Sequence, residues 1–185
     1  AGSRSNSVTE FSGVTITDDT SDKATVGLSI ANFGGNHYIT VAPALNHVKS
    51  HSAILERDRR FYSFSGTGTA LFRLPESFSV SLLAAGQYTW EDLLPGDQLF
   101  QLGGPTTVRG YPTGAVSGDS GYYVNSELHR NFTGIAEGLD VYAFLDQGQV
   151  FSTDPSVRSL YSVGFGASLQ LVKAITIEAS VGFPL

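Results

Sequence analysis

Cysteine is absent from this sequence. That removes disulfide frameworks and thiolate metal sites, and it suits compartments such as a periplasm, where stray thiols are oxidised. Charge is scarce as well: 15% of residues are Asp, Glu, Lys or Arg, against about 25% in ordinary soluble domains. Basic charge is the scarcer kind, with 11 Lys and Arg against 17 Asp and Glu and a net of −6. The broad attraction for phosphate that nucleic-acid binding needs is therefore missing. No apolar run reaches the ~18 residues of a spanning helix, and no signal peptide opens the chain. The first residues, AGSRSNSV, read as a loop cut open. His37, His47 and His51 are too dispersed to hold a metal, and His47 and His51 are read as flanking a surface loop. No metal, cofactor or catalytic residue is expected.

What is present is alternation. In 59–74, Tyr62, Phe64, Gly66, Gly68, Ala70 and Phe72 share one parity, opposite Ser63, Ser65, Thr67 and Thr69. Because strand side chains point alternately to the two faces, this is a strand with one apolar and one polar side. The same pattern recurs over 77–88, 121–131, 139–150, 159–171 and 174–184, and more weakly over 9–16, 24–32 and 37–48. Convincing helical periodicity is nowhere to be found. In 139–150 the apolar parity is Leu139, Val141, Ala143 and Leu145, against Asp140, Tyr142, Phe144 and Asp146.

Strand length and connection length select the kind of β-protein. A segment such as 59–74 far exceeds the roughly five or six residues of a typical soluble strand, while a tilted membrane strand needs about 9–11 to span the hydrocarbon. Connections also fall into two sets. Those near 33–36, 75–77 and 172–174 are short and 132–138 is middling, whereas 17–23, 49–58, 91–120 and 152–158 are longer and more polar. Successive hairpins place these sets at opposite ends, the asymmetry of an outer-membrane barrel. The expected fold is thus all-β: an antiparallel transmembrane barrel wall spanning 1–185. Tyr62, Phe64, Leu82, Val124, Val141, Leu145, Ile175 and Ile177 should face lipid, with Thr67, Ser79, Glu127, Asp140 and Asp146 inside. Tyr88, Trp90, Tyr122 and Tyr123 are candidates for the outer aromatic girdle. About nine strands are counted, whereas single-chain bacterial barrels use even numbers, so the strands read as part of a larger barrel.

Between two of these strands lies LGGPTTVRGY at 102–111. GDSGYYVNSELHR follows at 118–130 and FLDQG at 144–148. Together these segments resemble the C-terminal barrel half of a TpsB transporter, the outer-membrane partner in two-partner secretion (haemolysin-activator type), within the Omp85 superfamily. The resemblance covers roughly 60–185 well and the earlier strands loosely. It implies a barrel of about sixteen strands, preceded by periplasmic POTRA domains for which this chain has no room. It also implies that the 91–120 loop folds back into the lumen, where its arginine is held by the aspartate of the F-x-D-x-G strand. Carried over, that pairs Arg109 with Asp146. The loop motif is Gly103, Gly104, Val108, Gly110 and Tyr111, and the strand motif adds Phe144 and Gly148. The alternation independently puts Asp146 on the polar face of its strand. Glu127, inward-facing on the preceding strand, is a plausible second partner.

The implied function is export of a secreted, TpsA-like partner protein, without catalysis, from an outer-membrane site surrounded by lipid or detergent. Alternatives are a Bam-type insertase barrel, the barrel anchor of an autotransported enzyme such as a patatin-like lipase, or a soluble β-sandwich binding module. GDSG at 118–121 is read as a Gly/Asp turn into a strand rather than a protease nucleophile. TDDTSD at 17–22 is read as an acidic outer hairpin loop rather than a calcium site. With open edges, the fragment is expected to self-associate through its edge strands.

Overall fold

The computed structural model describes residues 1–11, 14–53, 56–132, 138–152, 157–172 and 175–185. Its strands are β1 (Gly2–Phe11), β2 (Val14–Gly27), β3 (Ile30–Phe33), β4 (His37–Ser52), β5 (Arg57–Arg73), β6 (Phe78–Thr89), β7 (Phe100–Leu102), β8 (Val116–Gly118), β9 (Ser120–Phe132), β10 (Leu139–Phe151), β11 (Val157–Val172) and β12 (Ile175–Pro184). One antiparallel sheet runs β1-β2-β4-β5-β6-β9-β10-β11-β12, with β3 beside β4. β7 and β8 form a separate two-stranded ribbon inside the long connection between β6 and β9. The sheet is not closed on itself among the described residues.

β2 and β3 are one strand interrupted by a proline. Gly27 pairs with Ala44 and Ile30 with Val41, the same register on both sides of the break. Opposite Leu28 stands Pro43, whose carbonyl accepts from the Leu28 N–H at 3.0 Å. Having no N–H, Pro43 cannot donate in return, so the ladder lapses there. Joined in this way, the main sheet is nine strands wide.

Burial is inverted relative to a soluble protein. Tyr62, Phe64, Leu145 and Ile177 are exposed at 47–56%, while Asn46, Ser63, Asn125 and Asp146 are buried. Register carries each parity across the sheet: Asp146 pairs with Asn125, Asn125 with Leu83, and Leu83 with Thr69, all on the face that the β6–β9 connection covers. Leu145, Ser126, Leu82 and Ala70 form the adjacent row on the other face. Apolar side chains on an uncovered face, with polar ones beneath a loop, are what a lipid-facing wall around a polar lumen requires.

Several expectations at the amino-terminal end are corrected. AGSRSNSV is not a loop: residues 2–11 form β1, paired with β2 from Gly2–Ala24 to Phe11–Val14. The acidic stretch 17–23 lies within β2, and most of 49–58 extends β4 and β5, which pair as far as Ser52–Arg57. The sequence of these segments is largely polar at both parities, so it carries no alternation to mark a strand. His47 and His51 therefore sit on β4, His47 well inside it and His51 beside its end at Ser52. His47 lies against Tyr62 with ring centroids 4.9 Å apart, and His51 Nδ1 is 2.7 Å from Asp58 Oδ1. Tyr123 also departs from the expected girdle: it points inward to Phe100, whereas Tyr122 faces out beside Phe151. Most of the connections at 132–138, 152–158 and 172–174 falls outside the described residues.

The two faces should respond oppositely to charge. Leu145→Lys in the full-length protein should lower its folding stability in lipid vesicles by about 2–4 kcal/mol near mid-bilayer. Thr67→Lys, on the inner face, should change the same urea titration little.

Candidate functional site: a loop pinned to the inner wall

The connection between β6 and β9 crosses the inner face of the sheet. Near its start, Arg59 of β5 donates to the carbonyls of Asp92, at 2.8 Å, and Leu93. Leu94 inserts between Val48 of β4 and Phe61 of β5. The Asp97 carboxylate accepts from Ser5 of β1 at 2.5 Å and Ser21 of β2 at 3.3 Å. The chain then runs to the opposite flank, where Leu102 and Val108 pack with Val150 and Leu160 in a buried apolar cluster. Tyr111 donates its hydroxyl to the carbonyls of Tyr161, at 3.1 Å, and Leu185, at 3.3 Å.

Arg109 sits at the centre of this arrangement. Its Nε donates to Asp146 Oδ2 at 2.8 Å and its Nη2 to Asp146 Oδ1 at 2.7 Å, a two-pronged contact that a lysine cannot copy. Its backbone N–H adds a third bond to Asp146 Oδ2 at 3.0 Å, and Nη1 donates to Glu127 Oε1 at 2.6 Å. The guanidinium carbon lies 3.5 Å from the centre of the Phe144 ring, in cation–π range. Asp146 is completely buried, while the Arg109 side chain keeps 13% of its surface exposed. Burial works against the guanidinium's charge, but hydrogen bonds and charge from Asp146 and Glu127 outweigh it and hold its pKa above the ordinary arginine range.

The local backbone allows this contact. Gly110 has φ +87°, a left-handed conformation in which a side chain would be strained, and a Cβ there would lie 2.7 Å from the Gly182 carbonyl oxygen. Gly182 of β12 reciprocates: a Cβ on it would stand 2.9 Å from the carbonyl carbon of Arg109. On β10, Gly148 leaves room for Leu102 and Val108. Gly103 and Gly104 also have positive φ, and the Gly103 N–H donates to Thr107 Oγ1 at 2.9 Å.

The structure thus gathers Arg109, Glu127, Phe144, Asp146 and Gly148 at one place, with Val108 and Tyr111 anchoring the segment on either side. Sequence reasoning missed Asn125, whose side-chain amide donates to the Thr107 carbonyl at 2.5 Å. It also missed Gly164 and Gly182 as spacers beneath Phe144 and the loop. Their parity held a clue, because a glycine inside a strand marks a close approach. GDSG has a structural part: Asp119 Oδ1 accepts from the Leu94 N–H at 2.7 Å. Among the described residues no group of three or more His, Asp or Glu is placed to hold a metal ion.

Gly182→Val should force the Arg109 backbone off the wall without cutting a strand hydrogen bond. Protease protection of the 103–115 segment should fall, with heat-resistant barrel mobility on gels retained; unchanged protection would exclude the contact as a determinant of loop position.

Residues 8–171 match the family described as haemolysin secretion/activation protein ShlB/FhaC/HecB. The chain is 30% identical over 112 residues to the hemolysin transporter protein ShlB of Serratia marcescens, an alignment covering 59% of this chain and 20% of that protein. It is 32% identical over 127 residues to the heme/hemopexin transporter protein HuxB of Haemophilus influenzae, covering 60% and 21% respectively. The chain therefore spans only a small part of the length of the curated relatives it matches. These are secretion and transport proteins rather than enzymes. With an exposed apolar outer face, a polar inner face and a family match over most of its length, the chain belongs to the haemolysin secretion/activation (ShlB/FhaC/HecB) family of the bacterial outer membrane.

Proposed function

We propose that the full-length protein is a TpsB-like pore that exports a partner protein across the outer membrane in two-partner secretion, with residues 91–120 as its lumenal plug. The observation that carries this reading is the Arg109 contact with Asp146 and Glu127, which pins a long connecting segment against the inner wall. A wall whose strands already satisfy one another's backbones does not need such a loop for pairing. A plug that must remain seated until a substrate arrives does.

The chemistry proposed is displacement, not catalysis. An extended polar chain entering the lumen competes for the inner-face donors and acceptors that now hold the loop, and the ion pair is the largest single contact to be replaced. The proposed partners are a secreted polypeptide in the lumen and lipid around Tyr62, Phe64, Leu145 and Ile177. Nucleic acid is not among them, given the net charge of −6.

A double-mutant cycle on export by the full-length protein tests this. Arg109→Ala and Asp146→Ala should each impair secretion with the barrel still inserted, and the two effects should be strongly non-additive, with coupling of about 0.5–3 kcal/mol. Arg109→Ala should be the more damaging to stability, because it leaves the buried Asp146 charge uncompensated, at a cost of about 3–5 kcal/mol. Independent, additive effects on secretion would remove the plug from the mechanism. Residues 1–185 expressed alone are proposed to self-associate in detergent through the outer edges of β1 and β12; a monodisperse detergent-free monomer by light scattering would contradict that.

A further inference from the structure

Arg130 breaks the pattern that the outer face otherwise keeps. Among the described residues of β6, β9, β10, β11 and β12, it is the only charged side chain on the outward parity. Glu127, Asp140, Asp146, Arg158 and Glu178 all take the inward one. Arg130 is exposed, and its guanidinium carbon lies 4.9 Å from the centre of the Phe78 ring and 5.2 Å from that of Phe132. Both distances are in cation–π range. Among the described residues no carboxylate forms an ion pair with it.

Register sets an apolar trough beside this cation. Arg130 pairs with Val141, Val141 with Ala167 and Ala167 with Ala179, one row across four strands. The row on one side carries Phe165 and Val181, and the row on the other Leu169 and Ile177. Small side chains between two ranks of large ones leave a hollow. A groove of about 710 Å³ opens there next to Arg130, bounded by Leu128, Val141, Phe165, Ala167, Ala179 and Val181. From β9 to β12 the row crosses successive inter-strand steps of about 4.8 Å each, the reach of a lipid tail rather than of a headgroup.

Depth completes the picture. The row continues from Arg130 to Phe78, where β6 begins after the short connection 74–77, and the Asn131 N–H donates to the Ser77 carbonyl at 3.0 Å. Arg130 is therefore level with a short connection, the kind that faces the periplasm in such barrels. A cation on the outward face is least costly there, near an interface. Its planar fork matches phosphate oxygens two at a time.

We infer that the outer face of β9–β12 is a binding site for one anionic glycerophospholipid of the periplasmic leaflet, with its phosphate on Arg130 and an acyl chain along Val141, Ala167 and Ala179. Phe78 and Phe132 hold the guanidinium in place at the mouth of the trough. A net-negative headgroup is preferred because the positive end of a zwitterionic one finds no carboxylate on this face. The site lies on the face away from the 91–120 segment and is independent of the plug reading.

Native mass spectrometry of the full-length protein in detergent tests this, with dioleoyl phosphatidylglycerol titrated in competition with dioleoyl phosphatidylcholine. The wild type should retain one phosphatidylglycerol in preference to phosphatidylcholine. Arg130→Gln should lower phosphatidylglycerol affinity about tenfold, the worth of a hydrogen-bonded contact between charged groups, and should erase the preference. Ala167→Phe fills the trough and leaves the cation. It should weaken retention of the dioleoyl lipid several-fold and that of dihexanoyl phosphatidylglycerol, whose tails reach little of the trough, much less. Should Arg130→Gln fail to insert, the wild-type preference and Ala167→Phe still decide. Equal retention of the two lipids by the wild type, unchanged binding in Arg130→Gln, or unchanged dioleoyl binding in Ala167→Phe would each overturn the inference. So would a dimer of the polypeptide that Arg130→Gln dissociates, which would assign this face to a second copy of the chain.

Discussion

A carboxylate with no access to solvent governs the inner face. Asp146 sits in the middle of β10 with all of its surface covered, and an unpaired charge in such a place is among the costliest features a protein can carry. It is tolerated because one loop residue meets both of its oxygens with three N–H groups. The dependence is mutual. Without Asp146, Arg109 would lose its forked partner, and the 102–111 segment would keep the Glu127, Asn125 and Tyr111 bonds and the apolar packing of Leu102 and Val108. The glycines at 110, 148 and 182 are the geometric condition for that meeting: 110 and 182 let loop and wall backbones touch, and 148 leaves room for the Leu102 and Val108 side chains.

The wall can tolerate so polar an interior because its stability comes from elsewhere. Antiparallel ladders from β1 to β12, lapsing opposite Pro43, pair the strand backbones within the sheet, which a hydrocarbon environment demands. Apolar side chains of one parity face outward and lie exposed rather than in a protein core. The loop lies across a sheet that is already paired.

Much of this was legible in the residues. The parity of 139–150 placed Asp146 and Leu145 on opposite faces, and the observed register agrees strand after strand because a slip of one residue would have inverted every side chain. VRGY and F-x-D-x-G, through a resemblance to a known family, pointed to Arg109 and Asp146. Less legible were features whose signal is not periodic. β1 and the outer parts of β2, β4 and β5 are polar on both faces and read as loops. The sequence placed Phe144 on the polar parity and in the strand motif, but not its ring against the guanidinium. Tyr123 was assigned by residue type to a girdle that its parity excludes. The reach of residues 92–98 across to β1 and β2 has no sequence signature, because it depends on which distant strands the loop meets.

That reach has a mechanical meaning. The loop touches Ser5 and Ser21 at one flank of the sheet, through Asp97, and Gly182 and the Tyr161 carbonyl at the other, through Gly110 and Tyr111. A segment fastened near both flanks of a sheet is a strut between them. On the plug reading proposed above, the motion that removes the strut is also the motion that clears the lumen.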